Sequence, residues 1–591
     1  MNLPSLRASF EARLAKLRIH LAHVDALPLL AMLGVFAGAF TALVILLFRL
    51  AIEVPLGWFL EDSEAFESVS SEWRFFLPVL GSLFLAAIFH FMLAQHRRTG
   101  IGHVLERIQF HQGQMPLPNW LAQFIGGVVC ALSGQSTGRE GPAVHLGAGT
   151  GSFVGRYLQL PTKNNQLLMA CGVAAAISTS FNTPIAGVIF ALEVILQEYR
   201  IIGFIPVILA SVTGALCSQA FYGNAPAFIV PSFDMRSLWE TPLLIVIGLL
   251  IGTLAAGLTR MTKQVARHAP ENLWGRLLLL GVANGILAVL VPGIMGIGYD
   301  SVNQAIFGNL GTLLLLTLLS AKLLITGINI GLSQPGGIIG PMLFVGAMAG
   351  GVFGHVGQYF FPEVTGASGY YAMLGMAAMM AACLQAPLAG LMTLMELTSN
   401  ANIILPGMLV VVIASMTYTE IFKQKSLFQS LLLMRGLDLQ QAPIVKTLRN
   451  AAVVQATNQQ IKVLPRRVEL SRARSALSEN PRWIVIEGDN SEVIGILAAA
   501  DLAFALDPEH LDDEWLVPKA ETPSLDLFAL PANRKPSKPI FMQANLQEAL
   551  DLMHNEGIEA LTVHFGEQGK TSTILGVVES DNIHNFYRYK H

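Results

Sequence analysis

The sequence predicts an all-α polytopic membrane domain built from two inverted repeats with broken helices, followed by a small α+β domain. Three observations predict it. Residues 1 to about 435 carry nearly all of an apolar excess, a Gly/Pro motif recurs about 200 residues downstream, and the composition turns mixed and polar after about residue 436. Of 591 residues, 53% are hydrophobic and only 13% charged, where a soluble protein carries roughly a quarter.

The first element is the segment 1–26, with Arg7, Arg13, Lys16 and Arg18 ahead of the apolar run Leu27–Ile52. The loop from about 53 to 75 holds Glu61, Asp62, Glu64, Glu67 and Glu72 against one Arg74, and Arg97 and Arg98 follow the second run, Phe76–Leu93. Positive residues stay inside, so the N-terminus and Arg97 are expected in the cytoplasm. The first run is too long for a cleaved signal peptide and lacks its small-residue cleavage site. Leu243–Leu258 and Leu277–Leu290 are further near-continuous runs, and about 20 such residues cross a roughly 30 Å hydrocarbon core. Other runs are broken by Gly and Pro, which predicts helices ending inside the protein, where the freed backbone is buried or lines a cavity.

The repeat is explicit. Gly138-x-x-Gly141-Pro142 matches Gly337-x-x-Gly340-Pro341, and Gly147, Gly151 and Gly155 match Gly346, Gly350 and Gly354 at equal offsets. Gly172-x-Ala174-Ala175 leads to Pro184-x-Ala186-Gly187 and Glu193, as Gly375-x-Ala377-Ala378 leads to Pro387-x-Ala389-Gly390 and Glu396. Interrupted apolar segments at matching places in two halves point to a binding site between the repeats.

An intramembrane charge costs on the order of 2.5–3.5 kcal/mol on insertion scales, so each needs a partner or a use. Glu193 and Glu396 occupy matching positions at helix ends, which favours an interface or helix-end role. Lys322 lies in an apolar helix, where its stem could snorkel to an edge. Glu140 differs: it sits where a helix should begin, and a helix N-terminus carries roughly +0.5 charge with unpaired N–H groups. A carboxylate there can occupy an anion site when ionised and leave it when protonated. Its counterpart, Ile339, is apolar, so capping alone does not require the acid. Helix capping by Glu140 is the competing account.

Cys130, Cys171, Cys217 and Cys383 all lie in apolar segments without CxxC spacing and read as buried small hydrophobes. No metal cluster, HExxH, nucleophile elbow, P-loop or basic stripe is present, which argues against an enzyme and against nucleic-acid binding. His145, the one His near the site in the membrane part, reads as a hydrogen-bonded core residue.

In the tail, Leu470-x-x-Ala473-x-x-x-Leu477, a strand Trp483–Ile486 and Val493–Leu497 form one unit. Leu546-x-x-Ala549-x-x-x-Met553, Ala560–Phe565 and Ile574–Val578 form a second. Between them Pro508, Pro518, Pro523, Pro531 and Pro536 mark a linker.

With these motifs the chain resembles the CLC family of chloride channels and anion/proton exchangers, over essentially its whole length. Gly138–Pro142 matches the family's GREGP signature. Lys322, Thr326, Ser333 and Pro335–Pro341 resemble the approach to its GxFxP motif, and the tail resembles paired CBS modules. The resemblance implies a membrane domain over 27–435 and a cytoplasmic CBS pair over 436–591, with modules at about 447–506 and 538–588. It implies a homodimer in the plasma (inner) membrane, with both termini cytoplasmic and one pathway per subunit for small inorganic anions, chloride by default. Glu140 takes the place of the gating glutamate. Gly138, Arg139, Gly141, Ile338 and Ile339 take anion-binding places, mostly through backbone amides.

Departures from the family pattern bear on mechanism. Thr99, in Arg98-Thr99-Gly100-Ile101-Gly102, stands for the coordinating serine; Phe428 stands for the coordinating tyrosine and lacks its hydroxyl. Val194 stands where exchangers commonly carry a proton-relaying glutamate. A valine relays no proton, so the sequence leans to a gated chloride channel, with a proton-coupled exchanger as the alternative. In the tail, Asp501 matches a ribose-binding acid, but Ala498 replaces the expected hydroxyl, and Glu579 and Asn582 fill the second module's places. Adenine nucleotide binding is therefore in doubt, and no other cofactor is implied.

Overall fold

A computed structural model describes the chain except residues 1–26, 61–64, 199–200, 225–227, 229, 231–234, 236, 439–447, 450, 489–491, 508–514, 516–523, 566–572 and 591. The basic N-terminal segment, part of the acidic loop, and Pro508, Pro518 and Pro523 of the linker fall outside the described residues. The chain divides into two compact units, residues 1–158 with 164–439, and residues 159–163 with 440–591.

The first unit is helical. In chain order its helices are α1 Leu27–Leu56, α2 Ser71–His90, α3 Gly100–Phe110, α4 Leu117–Leu132, α5 Glu140–Tyr157 and α6 Thr162–Phe181. Then come α7 Pro184–Phe190, α8 Ile201–Tyr222, α9 Thr241–His268, α10 Leu273–Leu290, α11 Tyr299–Ile306 and α12 Thr312–Gly331. The last are α13 Ile339–Phe360, α14 Ser368–Leu384, α15 Pro387–Thr398, α16 Ile404–Met416 and α17 Leu427–Met434. Among the described residues, 8 helical spans are long and apolar enough to cross a membrane. Others stop short, as the Gly/Pro breaks predict: α7 has 7 residues and α15 has 12.

The duplicated sequence becomes duplicated packing. Helices α5 and α13 begin at the two Gly-x-x-Gly-Pro motifs; α5 is almost wholly buried, and α13 is buried from Ile339 through Gly351 and exposed at its C-terminal end. A Cβ on Gly147 would collide with the carbonyl of Gly172, and one on Gly346 with that of Gly375. The two spaced glycine series are thus the surfaces on which α5 meets α6 and α13 meets α14 with backbones touching, the membrane use of small residues.

Glu193 and Glu396 join the halves. Glu193 accepts from the amides of Leu388 and Ala389 at 3.3 and 2.7 Å, and Glu396 from those of Ile185 and Ala186 at 2.8 and 2.6 Å. Each repeat's acid therefore caps the other repeat's Pro-x-Ala-Gly helix. The orphan N–H groups of α7 and α15 are satisfied reciprocally.

In the second unit, β1 Ile461–Pro465, a helix α18 Leu470–Leu477, β2 Trp483–Glu487, β3 Val493–Ala498 and α19 Ala499–Ala505 form one motif. The motif recurs as β4 Ser537–Phe541, α20 Leu546–Glu556, β5 Ala560–Phe565, β6 Thr573–Glu579 and α21 Ser580–Lys590. In both copies the first two strands pair parallel and the last two antiparallel. Val485 and Ile496 of one sheet bury against Ala560 and Val577 of the other, as expected for two apolar sheet faces sharing a core.

Candidate functional site

The site is built from the two loops ahead of α5 and α13. Gly138 and Gly337 form an antiparallel bridge, N–H to O at 2.9 and 2.8 Å in the two directions. That bridge sets the first turns of the two helices side by side. A side chain at Gly138 would strike the Glu140 carboxylate, and one at Gly337 would lie 2.6 Å from the Gly141 nitrogen. The glycines are there because the repeats meet backbone to backbone.

Glu140 is the first residue of α5 and only 2% exposed. Its Oε1 accepts from the Tyr299 hydroxyl at 3.3 Å, and the Gly340 amide of the opposite repeat also faces the carboxylate. Oε2 is buried without a hydrogen-bond partner. Glu140 lines a pocket with Phe181, Phe190, Tyr299, Ile339 and Leu397. Gly138 and Arg139 line another with Glu53 and Ile297.

The other expected site residues are placed as follows. Arg139, the N-cap of α5, turns its guanidinium to Glu53 of α1 at 3.0 Å. Glu53 is shared with Arg49 at 3.1 Å and accepts from the Tyr222 hydroxyl at 2.9 Å. Gly141 lies against Gly337, while Ile338 and Ile339 start α13 and are buried. Thr99 is the N-cap of α3 and its side chain makes no capping bond. It lines neither cavity beside Glu140. Phe428 is the buried second residue of α17 and also lines neither. The hydroxyls near it are engaged, since Tyr418 and Ser430 both donate to the Lys425 carbonyl, at 2.8 and 3.1 Å. Val194 is buried in a π-helical turn, Ala191–Leu196, directly after α7.

Lys322 corrects one expectation. It does not snorkel to an edge: it is fully buried and donates to the carbonyls of Ile294, Gly296 and Ile297 at 2.9, 3.1 and 3.1 Å. Its ammonium holds the irregular segment ahead of α11. Sequence reasoning also missed Gln123, which precedes Glu140 by the same number of residues as Lys322 precedes Ile339. Gln123 accepts from Gly100 N–H at 2.6 Å and donates to the Pro335 carbonyl at 2.7 Å. Its matching repeat position was the available signal. Tyr299 was missed as well, because nothing about a short segment after Gly298 announces a partner 159 residues away. His145 is a hydrogen-bonded core residue: His103 lies 2.9 Å from it, and Arg107 donates to His103 at 3.2 Å.

In the tail, two candidate nucleotide contacts are already occupied. Glu579 accepts from Lys535 at 2.8 Å, and Asn582 donates to the Ala456 carbonyl at 3.3 Å.

Comparison with known proteins completes the picture. A family profile described as "Voltage gated chloride channel" matches residues 81–419. A Ralstonia nicotianae protein with the provisional name chloride channel protein ClcB-like is 31% identical over 57% of this chain and 80% of its own length. The H(+)/Cl(-) exchange transporter ClcA of Vibrio cholerae is 27% identical over 62% of this chain and 82% of its own. Among solved structures, a slow cyanobacterial Cl-/H+ antiporter aligns at TM-score 0.61 and 22% identity, covering 69% of this chain and 97% of that one. A eukaryotic CLC transporter aligns at TM-score 0.57 and 19% identity, covering 94% and 97%. These structural likenesses establish the fold.

Proposed function

The chain belongs to the voltage gated chloride channel family, and from that membership and the Glu140 geometry we propose that it is a proton-coupled chloride exchanger gated by Glu140. The observation that carries the proposal is a buried carboxylate at the α5 N-terminus with one oxygen unpartnered. Ionised, it competes with an anion for the N–H groups where the two repeats meet. Protonated, it loses its attraction to those dipoles and yields the place. The amides around Gly138–Gly141 and of Ile338 and Ile339 coordinate the anion. Arg139 is paired with Glu53, which leaves the anion to backbone amides rather than to a full positive charge that would trap it. Thr99 and Phe428 belong to the inner end of the same route, where the missing phenol weakens the anion's hold. The protein acts as a homodimer in the inner membrane with both termini cytoplasmic; it is a transport protein, not an enzyme. Its tail is a CBS pair that serves assembly rather than adenine nucleotide binding, since Glu579 and Asn582 have other partners.

The exchanger replaces the channel as the leading reading because the Vibrio relative is named an exchange transporter. The channel remains as the second reading on the valine at 194 and on the name of the Ralstonia relative. Glu140→Gln in proteoliposomes tests the gate. Chloride flux should persist and lose most of its pH dependence. A variant that titrates like the wild type contradicts the assignment.

A further inference from the structure

Glu140 is held by one side chain that no sequence signal pointed to. The Tyr299 hydroxyl donates to Oε1 at 3.3 Å. The phenol ring is itself fixed: it stacks edge-on against Phe228 with centroids 4.9 Å apart, and Phe228 is fully buried with its amide bonded to the Leu397 carbonyl at 3.1 Å. The backbone leading to Tyr299 is fixed too. Lys322 holds the carbonyls of Ile294, Gly296 and Ile297, and Gly296 accepts from Thr137 N–H at 3.1 Å. That last bond ties the Tyr299 segment to the residue preceding Gly138. The hydroxyl is therefore delivered to the carboxylate by a rigid platform that also contacts the repeat junction.

We propose that Tyr299 is a latch on the gate: its O–H holds the ionised Glu140 side chain over the α5 N-terminus and lets go when the carboxylate is protonated. This rests on Glu140 being the gate. Other groups facing Glu140 do not duplicate the role. Arg139 is turned to Glu53, which also binds Arg49, and Lys322 is spent on backbone carbonyls. Gly340 and Glu140 itself offer only backbone amides, and Ile177, Phe181, Phe190 and Leu343 are apolar; Thr183 and Thr393 also line the cavity, but among the described residues the side-chain donor to the carboxylate is Tyr299. Tyr299 is a positioning residue, since it acts on the anion only through Glu140.

A donor to the charged form favours that form, so its loss makes protonation easier. Tyr299→Phe keeps the ring and its stacking and removes only the hydroxyl. In proteoliposomes assayed from pH 4.5 to 8, its chloride flux should match the wild type at low pH, with the midpoint moved up by about one pH unit. The flux at pH 7.5 should rise several-fold. With Glu140→Gln already present, adding Tyr299→Phe should change nothing. A Tyr299→Phe profile superimposed on the wild type, or lowered equally at every pH, overturns the latch while leaving the gate standing. A Glu140→Gln variant that keeps the wild-type pH response overturns the gate reading, and the latch with it.

Discussion

Replacing Lys322 by methionine isolates what one buried ammonium does for the site. Among the described residues, the carbonyls of Ile294 and Ile297 receive hydrogen bonds from Lys322 alone, whereas Gly296 keeps the Thr137 amide. A hydrogen bond to a charged group contributes about 1.5–3 kcal/mol net. Two such bonds at the low end make local opening of the 294–297 segment about 3 kcal/mol harder in the wild type. Methionine fills nearly the same volume beside Phe344, whose ring the ammonium approaches at 4.8 Å, so packing loss is small. Opening then becomes about 150-fold more frequent, at tenfold per 1.4 kcal/mol. Hydrogen–deuterium exchange of the full chain reads this at the amides of Ile294, Met295 and Gly296, which bond to Val291, Pro292 and Gly134 carbonyls. Unchanged protection there in Lys322→Met would refute the platform, and with it the claim that Lys322 is structural rather than a pore charge.

Three further outcomes are expected. Glu193→Gln and Glu396→Gln should each lower thermal stability in detergent by about 1 kcal/mol, because the amide keeps one acceptor and loses the charge. Their losses should be similar, and a pair with one neutral member contradicts reciprocal capping. In the tail, its hydrogen bond to the Glu579 carboxylate holds the Lys535 ammonium above its ordinary pKa. Its stabilisation is thus fully present below about pH 10.4 and fades only as pH rises through the raised value. Lys535→Met should speed exchange in β6 about fivefold for about 1 kcal/mol, by the same ratio at pH 7 and pH 9. A ratio that shrinks by pH 9 tells against the pair.

The sequence made the repeat legible because each match rests on Gly and Pro, whose roles at helix starts and close backbone approaches follow from local chemistry. Gly138–Pro142 and Gly337–Pro341 open α5 and α13 as expected. The helix-end role of Glu193 and Glu396 was readable too. That each caps the opposite repeat was not, since spacing along a chain says nothing about a partner about 200 residues away. Lys322 was misplaced for a related reason: its partners are carbonyls of an irregular segment, which leave no side-chain signature. Tyr299 and Gln123 were invisible on the same ground, because their work is done on another repeat's backbone or acid. Composition, by contrast, fixed neither the ion nor the coupling. Val194 argued for a channel, and the relatives carry both names, a chloride channel protein in Ralstonia and an exchange transporter in Vibrio, a difference that turns on a proton route rather than on the fold.

That difference is also the most direct point of attack. Purified full-length protein in liposomes, loaded with chloride and clamped with potassium and valinomycin, permits chloride efflux and external pH to be recorded together. Exchange drives protons against their gradient by the chloride gradient at a fixed ratio, with the coupling lost in Glu140→Gln. Chloride efflux with no accompanying proton movement would contradict it and make the chain a channel.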